Sequence, residues 1–246
     1  MFLHIRAWLL GVFTPDGRSF LERAIQDRRI AHGYRQLAEV EIMYYGNIKP
    51  FSIENGTGVR VSLFVSGCRN CCKNCFSRQT WDFCYGEVFT EKEEEEIITM
   101  LNRPFVEGLT VLGGEPMEPE NQRDLLPFLR RVREVCPNKT IWIYTGFRLE
   151  KGEEGRPFPW FLHDYEKTGA LAMRADTEYL PEILSLTDIL VDGRYEEDKK
   201  NLVLSFRGSE NQRIICVPET LASGRIVLSP LNQNSRNDNS SAHSAQ

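Results

Sequence analysis

The chain is 246 residues long, 41% hydrophobic and 26% charged, with a net charge of −5; that is enough apolar residue for a packed core and excludes a fibrous or wholly disordered protein. With 30 basic against 35 acidic residues there is no cationic surplus for phosphate backbones or anionic lipid, so neither nucleic acid nor membrane is expected as a partner. The apolar run at 7–13 is too short to span a bilayer and leads into Thr14-Pro15-Asp16-Gly17 rather than a small-residue cleavage site, so a cytoplasmic protein is expected.

Residues 1–42 read as an N-terminal extension, Arg-rich and without a sustained period; a helix over 19–41, with Phe20, Ala24, Leu37 and Val40 on one face, is the element they suggest. Met43 could itself serve as a translation start. From there strand and helix signals alternate. Residues 59–66 are a β-branched, apolar run closed by Gly67. Thr90-Glu91-Lys92-Glu93 is a capping box opening a helix to Leu101, with Ile97, Ile98 and Leu101 as its apolar stripe. The acidic run Glu93 to Glu96 reads as a solvated face. A short buried strand at 109–112 ends in Gly113-Gly114. Leu125, Leu126, Leu129, Val132 and Val135 keep helical spacing, with Pro127 marking a kink or a new first turn. A strand at 140–144, a helix at 180–186 and strands at 188–191 and 213–217 complete the series. Residues 229–246, rich in Ser, Asn and Gln, cannot offset their ordering entropy by burial and read as a disordered tail, leaving 43–228 as the domain. Strands separated by helices imply βαβ units: an α/β fold, with a parallel sheet and outer helices. Ligands collect at the carboxyl ends of such strands, where Gly67-Cys68 and Gly113-Gly114 fall.

Seven cysteines, four of them packed into residues 68–75, make a poor disulfide framework. Cys84, Cys136 and Cys216 sit in apolar or strand contexts and read as buried free thiols. The loop Cys68-Arg69-Asn70-Cys71-Cys72-Lys73-Asn74-Cys75 parses in two ways. As two abutting C-x2-C pairs it offers four thiolates, enough to close a zinc or iron–sulfur site. As C-x3-C-x2-C it uses Cys68, Cys72 and Cys75, omits Cys71, and would leave one iron of a [4Fe–4S] cluster open to substrate. Consecutive side chains diverge, which favours the second parse mildly. Spacing alone leaves both standing.

Further motifs surround this loop: Asn47-Ile48-Lys49-Pro50-Phe51, Asn55-Gly56-Thr57-Gly58-Val59-Arg60, Leu63-Phe64-Val65-Ser66-Gly67-Cys68, Thr80-Trp81-Asp82, Gly113-Gly114-Glu115-Pro116, Tyr144-Thr145-Gly146, Val191-Asp192-Gly193, Arg207-Gly208-Ser209 and Asn211-Gln212-Arg213. In this order, over 43–228, the chain resembles the activating proteins of anaerobic ribonucleoside-triphosphate reductase, small radical S-adenosylmethionine (SAM) enzymes. Residues 151–179 look like an insertion outside the family pattern.

The resemblance implies a partial (β/α) barrel of radical SAM type. It implies Cys68, Cys72 and Cys75 as ligands of one [4Fe–4S] cluster, and SAM as the second cofactor. Asn74, Cys75 and Phe76 would lie on the adenine side, and Gly113, Gly114, Glu115 and Pro116 beside the methionine end. Asp192, in its turn with Gly193 and Arg194, would approach the ribose or the methionine carboxylate. Many radical SAM loops carry an aromatic just before the third cysteine; here that position is Asn74 and the aromatic follows as Phe76. The activity implied is an oxidoreductase that cleaves SAM reductively and leaves a glycyl radical on its partner, the large subunit of the reductase, using a flavodoxin-like electron donor. Alternatives are an activator of another glycyl-radical enzyme, a small radical SAM enzyme acting on a purine-like metabolite, or a zinc or electron-transfer module. The four histidines have no spaced metal partner and receive no role.

Overall fold

In the structure, a computed structural model, residues 42–233 are described. The helix expected at 19–41 and the tail beyond 233 lie outside these residues. β1 (Tyr44–Ser52) and β2 (Val59–Val65) form an antiparallel hairpin with Ile48 opposite Leu63. β1 carries too little alternation to be read from sequence. Among the described residues only the two-residue β3 (Glu87–Val88) pairs along its outer side, at Tyr44 and Tyr45, so Pro50 falls on an edge where no ladder donor is needed.

β4 (Val106–Gly113), β5 (Thr140–Tyr144) and β8 (Ile189–Asp192) then add in parallel, each to the strand before it in the sheet. β9 (Arg213–Cys216) pairs antiparallel with β8. The sheet order is β3-β1-β2-β4-β5-β8-β9, an open sheet that does not close into a barrel. The expected all-parallel series is therefore corrected at both edges. A parallel return needs a helical crossover, and the connection from β8 to β9 holds only a short 3-10 turn, Glu197–Lys199, so the chain comes back antiparallel. β6 (Arg148–Lys151) and β7 (Trp160–His163) form a separate hairpin inside the crossover from β5 to β8. Residues 151–179 are thus part of the fold: Trp160, Leu162 and Ala175 are buried in the main core.

α1 (Glu91–Leu101) opens on the expected capping box, with the Thr90 N–H donating to Glu93 Oε2 at 3.0 Å. Glu93 is buried by this role, while Glu94 and Glu95 pair with Arg131 across to the next helix. α2 (Pro119–Val135) begins well before the apolar residues that signalled it, with Pro119 in its first turn. Pro127 lies inside α2, so its reading as a new first turn is corrected; the helix tolerates the missing backbone donor because its buried face continues on both sides, through Leu125, Leu126, Phe128 and Leu129. α3 (Leu180–Leu186) matches its expected span, and α4 (Val217–Ser223), too short to show a period, follows β9 and ends on Gly224 in the left-handed region.

Period-2 alternation sorts the strand residues to two faces. Val61, Leu63, Val65, Leu109, Val111, Ile141 and Ile143 pack against residues of all four α-helices in the larger core. The opposite face carries a small cluster of Trp142, Val191 and Ile214, with Tyr144, Phe206 and Leu231 against it, and the buried polar residues Arg60, Ser62 and Thr110. The chain does not loosen at Ser229 as expected. The Ser229 N–H donates to the Ile214 carbonyl (2.8 Å), and Asn232 exchanges hydrogen bonds with Ile214 (3.0 Å from its N–H to Asn232 Oδ1), which orders 229–233 along β9. Backbone pairing, which composition does not report, is the reason.

Candidate functional site

The cysteine loop leaves the carboxyl end of β2 and is pinned by backbone bonds. Gly67 N–H donates to Thr80 O (2.8 Å), Cys68 N–H to Trp81 O (3.2 Å) and Cys75 N–H to Cys72 O (3.1 Å). Two non-glycine residues in it, Cys71 (φ 50°) and Asn74 (φ 56°), adopt left-handed backbone conformations, a strain that folded proteins concentrate at functional sites. The result is a cavity of about 880 Å³ lined by Cys68, Cys72 and Cys75 together. Cys71 is exposed and outside that lining. The cavity opens on the face away from the main core, since Phe64, Leu112 and Tyr144 line it while their strand neighbours Leu63, Val111 and Ile143 face that core.

Gly113 and Gly114 carry the chain from β4 past this loop. Gly113 has φ +110°, and a Cβ there would lie 2.7 Å from the Phe64 Cα; one on Gly114 would lie 2.7 Å from the Gly67 carbonyl oxygen. That closeness lets the Gly114 N–H donate to Val65 O (2.7 Å) and the Glu115 N–H to Gly67 O (2.9 Å). The Glu115 side chain is fully buried and accepts from Asn70 Nδ2 (2.8 Å), Thr145 Oγ1 (2.7 Å), Gly146 N–H (2.7 Å) and Met117 N–H (3.0 Å). Burial pushes its pKa up to about 7 against the pull of these donors. One carboxyl group thus ties together the loops that follow β2, β4 and β5.

Of the residues expected around the cofactors, Asn74, Cys75, Phe76, Gly113, Gly114 and Glu115 line the cavity, with Phe76 98% exposed at its mouth. Two of the expected residues lie outside the lining. Pro116 is buried behind the turn and is not part of the lining. Asp192 is also absent from it: its carboxylate accepts from Arg213 Nε (2.9 Å) and the Leu149 N–H (2.9 Å), a buried ion pair that locks β8 to β9 and β6. Its neighbour Gly193, with Tyr195, Arg207 and Gln212, supplies that wall instead. Trp81 Nε1 and Arg207 Nε are buried without a hydrogen-bond partner, and both residues line the cavity. Trp81 and Thr145 lie in motifs recognised in the sequence without a role; nothing in the sequence points to Tyr195, which only the return of the chain to β9 brings to the site. Among the scattered cysteines, Cys136 alone is buried, Cys84 and Cys216 being half-buried.

Burial raises the pKa of the Cys68 thiol, with the Glu115 carboxylate adding to it, and that of Cys72 to about 11, where Arg194 works in the opposite direction. Both are protonated at neutral pH and would release their protons on binding a metal. Among the described residues no three His, Cys, Asp or Glu side chains converge as ligands of a single metal ion; these three thiols line one shared cavity.

A loop of three cavity-facing thiols on an α/β sheet is the mark of a protein built round an iron–sulfur centre. Accordingly, residues 54–215 match the family model of a 4Fe-4S single cluster domain. The chain is 38% identical over 174 residues to the anaerobic ribonucleoside-triphosphate reductase-activating protein of Pasteurella multocida, covering 70% of this chain and 96% of the relative. It is 34% identical over 172 residues to the protein of that name in Escherichia coli K12 (69% and 96% covered), and 33% identical to that of enterobacteria phage T4 (70% and 93%). The chain belongs to the family of anaerobic ribonucleoside-triphosphate reductase-activating proteins.

Proposed function

We propose that this protein activates an anaerobic ribonucleoside-triphosphate reductase, and that Cys68, Cys72 and Cys75 hold a [4Fe–4S] cluster beside a bound SAM. The observation that carries the reading is the placement of these three thiols, without Cys71, on one cavity with the Gly113-Gly114-Glu115 turn. When bound, the cluster supplies the electron for reductive cleavage of SAM, through which a glycine of the reductase becomes a glycyl radical. The chain's own residues prepare that site. Three thiolates leave a fourth cluster position for a ligand, and the glycine turn brings backbone against the cavity without Cβ atoms in the way. Exposed Phe76 and Leu202 at the rim leave the cavity open to a segment of another protein. An electron donor of flavodoxin type and a cytoplasmic setting belong to the same reading.

Protein reconstituted anaerobically, reduced and incubated with SAM is expected to release 5′-deoxyadenosine, and on addition of the reductase to give a glycyl-radical signal in electron paramagnetic resonance. A loaded cluster that yields no 5′-deoxyadenosine overturns the reading; cleavage without a radical on the reductase moves the target elsewhere. Cys72→Ser is expected to abolish cluster and cleavage, and Cys71→Ser to preserve both.

A further inference from the structure

Asn70 sits between Cys68 and Cys72, is buried, and has its side-chain amide and its carbonyl engaged. Nδ2 donates to Glu115 (2.8 Å), Oδ1 accepts from Arg174 Nη2 (2.7 Å), and the main-chain carbonyl accepts from Arg194 Nη1 (2.7 Å). Both arginines converge on Asp164, Arg174 Nη1 reaching Oδ2 at 2.7 Å and Arg194 Nη2 reaching Oδ1 at 2.9 Å. Arg174 Nε also donates to Glu118 Oε2 (3.1 Å), and Glu118 in turn accepts from the Arg69 N–H (2.8 Å) and Arg69 Nη1 (2.7 Å). Two carboxylates, working through three guanidinium groups, therefore hold residues 69 and 70 of the cysteine loop.

Asp164 and Arg174 belong to the connection from β7 to α3, the stretch that reads in the sequence as an insertion without a task. A 3-10 turn at Gly169–Leu171 folds this connection back, with the Asp164 N–H donating to Ala172 O at 2.8 Å, and the Arg174 guanidinium lies 4.5 Å from the centre of the Phe147 ring. The side chains of Asp164 and Arg174 are 2% and 8% exposed, and neither residue lines the cavity. Burying such ions is costly unless all are paired, and the pairing here reaches the cysteine loop at Asn70 and, through Glu118, at Arg69.

We infer that residues 164–174 form a strap, and that Asp164 and Arg174 are positioning residues that set the cluster-binding loop through Asn70. The inference rests on the reading of Cys68, Cys72 and Cys75 as cluster ligands. The loop contains two left-handed residues, so its backbone has right-handed alternatives close in energy; anchoring Asn70 on both sides selects the one that turns Cys68 and Cys72 to the same cavity.

The test uses the full chain reconstituted anaerobically, as wild type, Arg174→Gln, Asn70→Ala and the double variant. Three readouts are taken: the rate of iron loss to a chelator, the paramagnetic resonance spectrum of the reduced cluster, and hydrogen exchange of 68–75 in cluster-free protein. Each single variant is expected to lose iron about tenfold faster, as outer-shell substitutions do, to shift the spectrum and to expose the loop. The double variant is expected to be no worse than either single one, because both break the same linkage. Arg174→Lys keeps a charge against Asp164 but cannot span three partners, so it should recover thermal stability while iron loss stays fast. The inference is overturned by variants matching wild type in all three readouts, by additive effects in the double variant, or by Arg174→Lys rescuing stability and iron retention together. Should Arg174→Gln fail to fold, Asn70→Ala and Arg174→Lys carry the same criteria. A wild-type chain that takes up no cluster overturns the underlying reading and this one with it, whereas a loaded wild type with indifferent variants overturns this one alone.

Discussion

Arg60 carries its charge into the sheet interior and spends every donor on uncharged oxygens. Nε reaches Thr110 Oγ1 (2.7 Å), Nη1 reaches Thr140 Oγ1 (2.9 Å) and the Thr57 carbonyl (3.3 Å), and Nη2 reaches the carbonyls of Leu109 (2.8 Å) and Thr140 (2.9 Å), with the Trp142 ring 5.1 Å away. Burial lowers its pKa to about 10. Arg60→Met would leave these oxygens short of donors and should cost about 2–4 kcal/mol, read as a fall in the urea midpoint of the cluster-free chain; Arg60→Lys should recover only part, since an ammonium cannot fan across five acceptors. Asp164 makes a second prediction. Burial alone would raise its pKa, but Arg174, the Glu166 N–H and Arg194 outweigh burial and hold it below the ordinary 3.8. The stability this supplies is complete above 3.8 and is lost as pH falls through the lower folded value. Asp164→Asn, though less stable at neutral pH, should therefore lose less of its urea midpoint than wild type between about pH 5 and about pH 3. Of these residues Arg60 stood in a recognised motif, yet its motif says nothing of its burial; Asp164 carried no signal at all, because no local pattern records that Arg174 and Arg194 converge on it.

The capping box of α1 is local, and so it could be read directly. Thr90→Ala should cost about 1 kcal/mol in denaturant unfolding. The same locality explains why the spans of β5 and α3 agree with their sequence patterns, an apolar run in one and a helical stripe in the other. β1, the β6–β7 hairpin and α4 escaped for the opposite reason. Each is short or polar by itself and exists because of what it pairs with or packs on: Leu149, Trp160 and Leu162 are buried only once the hairpin lies on the main core. The end of β9 is a sharp instance. Asn232→Ala removes the side chain that accepts the Ile214 N–H (3.0 Å) and an Arg207 Nη1 bond (3.1 Å), and should cost about 1–2 kcal/mol while increasing exchange at Ile214.

Across the molecule, the helices build one face and the cavity the other, and the strands' carboxyl ends are where the two meet. Removing a bound cluster by chelation should therefore raise hydrogen exchange at 67–76 and around Gly113 and Gly146, while β2, β4 and β5 keep their protection, because helices cover their apolar face on the side away from the cavity. Among the described residues no helix is long and apolar enough to cross a membrane. The sequence by itself determined the α/β alternation, the cysteine loop, the glycine turn and the family, since these rest on periodicity and on motifs written within a few residues. Only the tertiary structure decided which thiols share a cavity, that Asp192 serves Arg213, that β9 runs antiparallel, and that Asp164 and Arg174 hold Asn70. Those outcomes depend on contacts between residues far apart in the chain, where burial and hydrogen-bond satisfaction fix the partner and no local pattern records it.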